Sequence, residues 1–441
     1  MYELSRADGV SSEGVILVGV LLDGKEPPGP PLLELAGLAV AAGARVVGEL
    51  TQRREAPDKT TYLGKGKVEE LKLLIDVRDA DAVIFDNDLS PAQTRNLEKV
   101  LDRKVIDRTE LILDIFATRA RTHEARLAVE LAQLEYSMPR LKRMWTHLSR
   151  QTQGIGVRGP GEKQLEVDRR LVEKKIDDLR DELRAIERRK QREVAGRQDR
   201  MTVCLVGYTN AGKSTLLNAL TGSDVLTRDA LFATLDTRTR RWQLPGWGPV
   251  LLSDTVGFIR NLPHRLVASF KATLEEARQA DLLLHVADGA SETMDDQVTA
   301  AYRVLEEIGI QQKDTLLVIN KIDAAPSQAR VDGLLARHPQ SIAISARTGQ
   351  GLPQLAAAVG EALSRNFLDL DVEMGVDNGR TLAYLTAHGE IISKRYQENR
   401  VVIHCRIPQR LAGRLETEGV TVQPHHNGQP ADNLKSEISN L

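Results

Sequence analysis

The stretch Gly207-Tyr208-Thr209-Asn210-Ala211-Gly212-Lys213-Ser214-Thr215 constrains this chain more than any other. It fits the pattern Gly, any four residues, Gly-Lys-Ser/Thr. The apolar run Met201 to Val206 leads into it, and Leu216-Leu217-Asn218-Ala219-Leu220 follows at helical spacing, so the order is strand, loop, helix. Gly207 and Gly212 let backbone N–H groups curl around a phosphate with no Cβ in the way. The helix that starts here turns the positive end of its dipole toward the phosphate. Lys213 is placed to bridge the β- and γ-phosphates of a nucleotide, and the Ser214 hydroxyl to ligate Mg²⁺. The plainer alternative is a Gly-rich turn that binds nothing, and the residues downstream speak against it.

Those residues come in order: Thr234 in Phe232-Ala233-Thr234-Leu235-Asp236, then Asp254-Thr255-Val256-Gly257, Asn320-Lys321-Ile322-Asp323 and Ser345-Ala346-Arg347. Each is weak alone, since Asp-x-x-Gly occurs by chance in many chains. Together, with the last three each following an apolar run, they are the sequence set of a GTPase domain. The Asp323 carboxylate can accept both N–H groups of guanine's edge, whereas adenine would turn an acceptor toward it. Buried hydrogen bonds of this kind discriminate by roughly 10⁴–10⁵. Asn320 is expected to brace the loop, Lys321 to cover the base, and the Ala346 N–H to meet the guanine oxygen, with Ser345 and Arg347 beside it. Asp254 is expected to hold Mg²⁺ through water, and the Gly257 N–H to sense the γ-phosphate. Thr234 would close over Mg²⁺ only when that phosphate is present, which makes a switch ordered by one phosphate. The metal set is thus Ser214, Thr234 and Asp254, and catalysis falls to Lys213, Thr234 and Gly257.

Position 258 bears on rate. Many GTPases place Gln after Asp-x-x-Gly to position the attacking water. This chain has Phe258, whose ring has no donor or acceptor for the task and also suits a core position beneath the switch. Hydrolysis is expected to be slow alone and accelerated from outside. One outside source is a monovalent cation: the phosphate loop around Asn210 resembles that of some Gln-lacking GTPases, where an Asn oxygen holds K⁺. The other reading of Asn210 is a brace bonded to its own loop.

With 441 residues the chain has length for roughly two to four domains. Lys and Arg number 60 against 62 Asp and Glu, so global charge does not announce nucleic acid and local charge must carry any such claim. Cys204 and Cys405 sit in apolar runs, which suits buried thiols in a reducing compartment better than a disulfide. No apolar run reaches roughly 18 residues, so no membrane span is expected. The N-terminus carries no export pattern. A cytoplasmic, monomeric protein is expected.

Residues 1–115 read as an α/β unit: strands at Val15 to Leu22, Ala44 to Leu50 and Ala82 to Phe85, helices at Pro31 to Ala42, Val68 to Ile75 and Ser90-Pro91 to Leu101. The alternation implies a mainly parallel sheet. Gly64-Lys65-Gly66-Lys67 precedes a helix and reads either as an incomplete phosphate site or as a basic turn facing solvent or RNA. Residues 116–199 differ. Leu127, Leu131, Leu134, Met138, Leu141, Trp145 and Leu148 form a coiled-coil seam, with Pro139 expected to kink it, and Val172, Ile176, Leu179, Leu183 and Ile186 repeat the spacing. Two such helices predict an antiparallel hairpin. The break at 149–162 carries four glycines and a proline, and no acid lies between Arg140 and Val157. With Arg140, Lys142, Arg143, Arg150 and Arg158 near its tip, the arm suits contact with RNA phosphates, Arg150 and Arg158 above all; the alternative is a solvent loop. Residues 200–365 make the GTPase domain, with a mostly parallel sheet whose strand ends carry the motifs. Residues 366–441 make a small α+β domain, with a helix at Gln409 to Glu418 and a flexible tail from Pro424.

These motifs make the chain resemble the HflX family of ribosome-associated GTPases over nearly its whole length. Three stretches carry the likeness: Tyr62-Leu63-Gly64-Lys65-Gly66-Lys67-Val68-Glu69-Glu70-Leu71, Gly154-Ile155-Gly156-Val157-Arg158-Gly159-Pro160-Gly161-Glu162, and Phe232-Ala233-Thr234-Leu235-Asp236. Many members carry Pro after the last Asp, where this chain has Thr237. The resemblance implies a multidomain α/β protein of N-terminal domain, helical arm, GTPase domain and small C-terminal domain. It also implies binding to the large ribosomal subunit and its RNA, with dissociation of stalled or stress-damaged ribosomes, and it makes the ribosome the first outside source of faster hydrolysis, ahead of a cation. Two other readings stand beside it: an RNA-modifying enzyme with a GTPase module, and a passive assembly or storage factor timed by GTP.

Overall fold

The computed structural model describes residues 13–24, 29–148, 160–195, 201–223, 231–232, 235, 237–245, 247–260, 271–307, 309–310, 314–365, 367–397, 399–413, 415 and 419–425. Arg150, Arg158, Thr234 and Asp236 lie outside these residues, as do the side chains of Lys142 and Arg143. The chain divides into two compact units, one of Met1–Ala195, Thr202–Trp242 and Leu251–Leu355, the other of Gly196–Met201, Gln243–Val250 and Ala356–Leu441.

The first unit begins with β1 (Gly14–Leu22), α1 (Leu33–Ala41), β2 (Arg45–Arg54), α2 (Lys65–Arg78), β3 (Ala82–Phe85), α3 (Pro91–Leu101), β4 (Lys104–Asp107) and α4 (Arg108–Arg119). The strands form one parallel sheet in the order β2-β1-β3-β4. β1 shows no polar alternation because helices cover both its faces. Val15 and Leu17 pack with Leu35, Leu38 and Phe116, while Ile16 and Val18 pack with Leu71, Ile75 and Leu97. Ser90 caps α3 in a reciprocal box with Gln93, and Pro91 follows. The turn Gly64-Lys65-Gly66-Lys67 is mostly helix already: α2 starts at Lys65, and the Gly64 N–H donates to Gln52 Oε1 at 2.9 Å. β4 and α4 escaped the sequence reading. No breaker separates them: Asp107 ends the strand and immediately caps the helix, accepting the Glu110 N–H at 2.9 Å.

Next come α5 (His123–Leu148) and α6 (Pro160–Ala195). Leu127, Leu131, Ile176, Leu179 and Ile186 form their buried seam. The ion pairs Glu124–Arg189 and Glu135–Arg180 run in opposite senses along the two helices, as an antiparallel hairpin requires. α5 continues past Pro139 to Leu148. The expected break at 149–162 ends sooner, because residues 160–162 are already helical. Proline fits the first helical position, where its missing N–H would have no partner anyway.

The remaining strands of this region are β5 (Thr202–Gly207), β6 (Arg238–Leu244), β7 (Gly248–Asp254), β8 (Leu282–Asp288), β9 (Thr315–Asn320) and β10 (Ile342–Ala343), with α7 (Lys213–Thr221), α8 (Lys271–Gln279), α9 (Met294–Glu307), α10 (Gln328–Arg337) and α11 (Leu352–Ser364) between and after them. The sheet order is β10-β9-β8-β5-β7-β6, parallel from β10 through β7. β6, with the sequence RTRRWQL, is too polar to announce itself and takes the edge.

In the second unit β11 (Phe367–Gly375), α12 (Gly379–His388), β12 (Glu390–Gln397), β13 (Arg400–Pro408), α13 (Gln409–Ala412) and β14 (Thr421–Pro424) build an antiparallel sheet in the order β12-β13-β11-β14. Val372, Met374, Ile403, Cys405 and Leu385 fill its core. Of the helix expected over Gln409 to Glu418, Gln409–Ala412 forms α13, Gly413 and Leu415 are not helical, and 414 and 416–418 lie outside the described residues. Pro424, expected to open a flexible tail, ends a strand, and the His425 N–H donates to Asp369 O at 2.8 Å. Cys204 and Cys405 are both buried. Among the described residues no helix is long and apolar enough to cross a membrane.

Candidate functional site

The phosphate loop links the end of β5 to the start of α7. Gly207 takes φ 141° and Gly212 φ 91°. A Cβ at Gly207 would run into the Val286 carbonyl, and one at Gly212 into the Asn320 amide, so both positions admit only glycine. Lys213 is 6% exposed. Its Nζ donates to the carbonyl oxygens of Gly207 at 3.1 Å and Tyr208 at 2.9 Å. Burial draws its pKa down to about 8, against the opposing pull of the Asp254 carboxylate. Ser214 Oγ donates to Asp254 Oδ2 at 2.6 Å. A hydroxyl and a carboxylate thus stand side by side where α7 begins.

Asn320, at the end of β9, joins this loop to the Ser345-Ala346-Arg347 stretch. Its Nδ2 donates to Ala211 O and its Oδ1 accepts the Ala346 N–H, both at 2.9 Å. The bracing expected of Asn320 is therefore present, but the Ala346 N–H, expected to face guanine, is directed to Asn320. Lys321 takes φ 64° and its Nζ pairs with Asp288 Oδ2 at 2.9 Å. Asp323 and Arg347 are exposed, and Ser345 is buried.

The Asp254-Gly257 stretch leaves β7 and crosses the phosphate loop. The Phe258 N–H donates to Gly207 O at 3.0 Å, and the Thr209 N–H donates to Phe258 O at 2.7 Å. A Cβ on Gly257 would stand 2.6 Å from Thr209 Cα and 3.0 Å from Lys213 Nζ. Phe258 is buried in the same core as Tyr208, Phe232 and Leu235. Of the first switch, Phe232 packs edge-on against Phe116, and its N–H donates to Thr209 Oγ1 at 2.7 Å. Asn210 takes φ 59° and is exposed on the rim.

Three arrangements had little signal in the sequence. His285, in the apolar run of β8, is 1% exposed, and its Nδ1 finds no hydrogen-bond partner among the described residues. Burial, and then the Lys213 charge, push its pKa down to about 4. On α5, Arg140 pairs with Asp107 Oδ2 at 2.8 Å and lies over the Tyr136 ring at 3.6 Å. It therefore anchors α5 to the N-terminal sheet rather than serving the arm's tip. Finally, Glu34, Asp86 and Arg108 meet Tyr208 and Arg260 beside the phosphate loop. Arg108 bonds Glu34 Oε1 and Asp86 Oδ1 at 2.7 Å each and the Arg260 carbonyl at 3.1 Å. These residues are too far apart in the chain for any motif to join them.

In the second unit Asp371, His404 and His425 offer ligand atoms close enough for a metal ion. The two rings stack 3.5 Å apart at 15°, so no single ion lies in the plane of both. The bonds from His404 to Asp369 at 2.6 Å and from His425 to Asp371 at 2.9 Å account for the cluster.

Comparison with known proteins places three family models along the chain: "GTP-binding GTPase N-terminal" over residues 31–117, "GTP-binding GTPase Middle Region" over 119–197 and "50S ribosome-binding GTPase" over 202–321. A relative from Lacrimispora saccharolytica, "GTPase HflX", is 44% identical over 91% of this chain and 95% of its own. The protein of the same name from Escherichia coli is 49% identical over 79% of this chain and 83% of its own. A solved GTP-binding protein from Sulfolobus solfataricus in complex with GDP is 24% identical, with a TM-score of 0.42, covering 79% of this chain and 99% of that one.

Proposed function

The chain belongs to the HflX family of GTPases, and from that premise we propose that it couples GTP binding and hydrolysis to the large ribosomal subunit, separating stalled or stress-damaged ribosomes. The observation that carries the nucleotide half is Asn320, which ties the phosphate loop to the Ser345-Ala346 loop through one amide. Triphosphate and base then have to be read by one rigid frame. In that frame the phosphate-loop residues Gly207 to Thr215 wrap the phosphates, Lys213 meets the β- and γ-phosphates, and Asp323 reads guanine with Lys321 against the base. Ser214 and Asp254, hard oxygen donors 2.6 Å apart at a helix N-terminus, fit Mg²⁺, with Thr234 joining them when the switch closes. The metal, when bound, neutralises charge on the β- and γ-phosphate oxygens. The Gly257 N–H senses the third phosphate. Phe258 cannot orient water, so charge and order come from the ribosome and from a monovalent cation such as K⁺ held at the exposed Asn210.

The "50S ribosome-binding GTPase" model over 202–321 supports the ribosomal half, as does the basic, acid-poor sequence between α5 and α6 that holds Arg150 and Arg158. The reaction belongs in the cytoplasm, where ribosomes are. The test is co-sedimentation with separated ribosomal subunits, in GDP and in a non-hydrolysable GTP analogue. Binding to large subunits that is stronger with the analogue is expected, and intact ribosomes should separate under the same conditions. Equal or absent binding in both nucleotides overturns the ribosomal reading.

A further inference from the structure

Two acids and two arginines from distant parts of the chain meet at the edge of the phosphate loop, and what they do there rests on the nucleotide reading just given. We propose that Glu34 is a positioning residue: it holds the 257–260 segment down on the phosphate loop and so sets the balance between GDP and GTP.

The segment lies where a third phosphate has to come. Phe258 is paired on both sides of its peptide with Gly207 and Thr209. Gly257 packs so closely that even a methyl group would stand 3.0 Å from Lys213 Nζ. The amine expected to meet the γ-phosphate is buried beneath it, bonded to two carbonyls of its own loop. A diphosphate needs no access on that side. A triphosphate needs the segment to lift.

Glu34 controls that lifting through both carboxylate oxygens. Oε1 accepts the Tyr208 hydroxyl at 2.8 Å, and the same hydroxyl accepts the Arg260 N–H at 2.6 Å. Oε2 faces the Arg260 guanidinium at 3.6 Å, and Asp86 faces it at 3.7 Å. Arg108, 3% exposed, closes the cluster by bonding Glu34, Asp86 and the Arg260 carbonyl. One phosphate-loop hydroxyl therefore pins the backbone after Phe258, and one carboxylate from α1 orients that hydroxyl. Raising the segment parts Arg260 from two carboxylates and takes a partner from Arg108. That cost falls on the lifted state alone, which makes it a term in the GDP/GTP preference and not a general contribution to binding. A cavity of about 390 Å³, lined by Glu34, Tyr208, Thr209, Asn210 and Arg260 among others, gives the Arg260 side chain room to move.

The experiment measures affinities of the full chain for GDP and for a non-hydrolysable GTP analogue, in wild type, Tyr208→Phe and Glu34→Gln. Tyr208→Phe removes one oxygen and leaves the ring in its core. Each variant should shift the ratio of the two affinities toward the analogue by about tenfold, the scale of one charge-assisted hydrogen bond lost from one of two states. If Glu34→Gln does not fold because Arg108 loses its counter-charge, as a melting curve would reveal, Tyr208→Phe decides alone. Equal weakening of both nucleotides, or an unchanged ratio, means a structural role only and overturns the proposal. A wild-type chain that binds neither nucleotide overturns the reading of the site itself, and this inference with it.

Discussion

In the proposed nucleotide site the choice of base is assigned to Asp323, and its exposed position in a 3₁₀ turn (Ile322–Ala324) leaves the carboxylate open to a ligand's edge. Asp323→Asn replaces one acceptor by a donor. GTP binding should fall by two orders of magnitude or more, up to roughly 10⁴, and xanthosine triphosphate, whose edge offers an acceptor in place of the amine, should bind better. Retained preference for GTP in a competition assay refutes the assignment. His285 makes a second residue-scale test. Burial holds its folded pKa at about 4, below the ordinary 6.5. The unfolded chain therefore takes up a proton first as pH falls. Stability should drop between pH 6.5 and about 4 and gain no further slope from this residue below that. The shift corresponds to about 3 kcal/mol. In His285→Leu the acid slope of denaturant midpoints should flatten over that window, and an unchanged slope would show that His285 is not kept neutral by the fold. The burial of His285 follows from Leu282 to Val286, which read as a buried strand, but the missing hydrogen-bond partner of its Nδ1 among the described residues does not.

At the scale of elements, the arm separates what its sequence spacing could reveal from what it could not. The seam residues repeat every three or four positions, so pairing of α5 with α6 follows from the chain alone. The role of Arg140 does not. Local charge groups it with Arg150 and Arg158, yet its partner Asp107 is 33 residues away in sequence and 2% exposed. Burial raises the Asp107 carboxyl above its usual range even with Arg140 beside it. Arg140→Met should accordingly cost about 3 kcal/mol, because it strands a buried carboxylate. Neutralising Arg150 and Arg158 together should leave stability and nucleotide affinity unchanged, while weakening ribosome binding and flattening its salt dependence as fewer counterions are released. Thermal melts and binding at several salt concentrations separate the two cases. Ribosome binding that survives the double neutralisation makes the loop a connector.

For the whole molecule the question is rate. Phe258 supplies no group to orient water, and its backbone is zipped to the phosphate loop. Turnover by the protein alone should be slow and rise strongly with large ribosomal subunits, by an amount comparable with the roughly 10³–10⁵ that a supplied arginine provides elsewhere. Any advantage of K⁺ over Na⁺ should vanish in Asn210→Ala. Fast turnover alone in Na⁺ refutes the reasoning from Phe258, whereas a K⁺ advantage that survives in Asn210→Ala refutes only the cation.

Local order along the chain is enough to reveal the nucleotide loop, the parallel sheets and the hairpin. These depend on local order: glycines where a Cβ cannot fit, apolar runs for strands buried on both faces, and a seam with helical period. It left β4 with α4 and β6 unread, because the first two run together without a breaker and the third is mostly polar. It also placed the start of α6 too late and the helix after β13 too long, since Pro160 and Gly413 mark boundaries that composition alone blurs. The meeting of Glu34, Asp86 and Arg108 with Tyr208 and Arg260 comes from packing alone. Glu34 and Tyr208 lie 174 residues apart along the chain, and no local pattern encodes a contact made when two sheets with their helices pack together. Charge neutralisation in a buried space, unlike a phosphate loop, has no spacing that can be read before the fold exists.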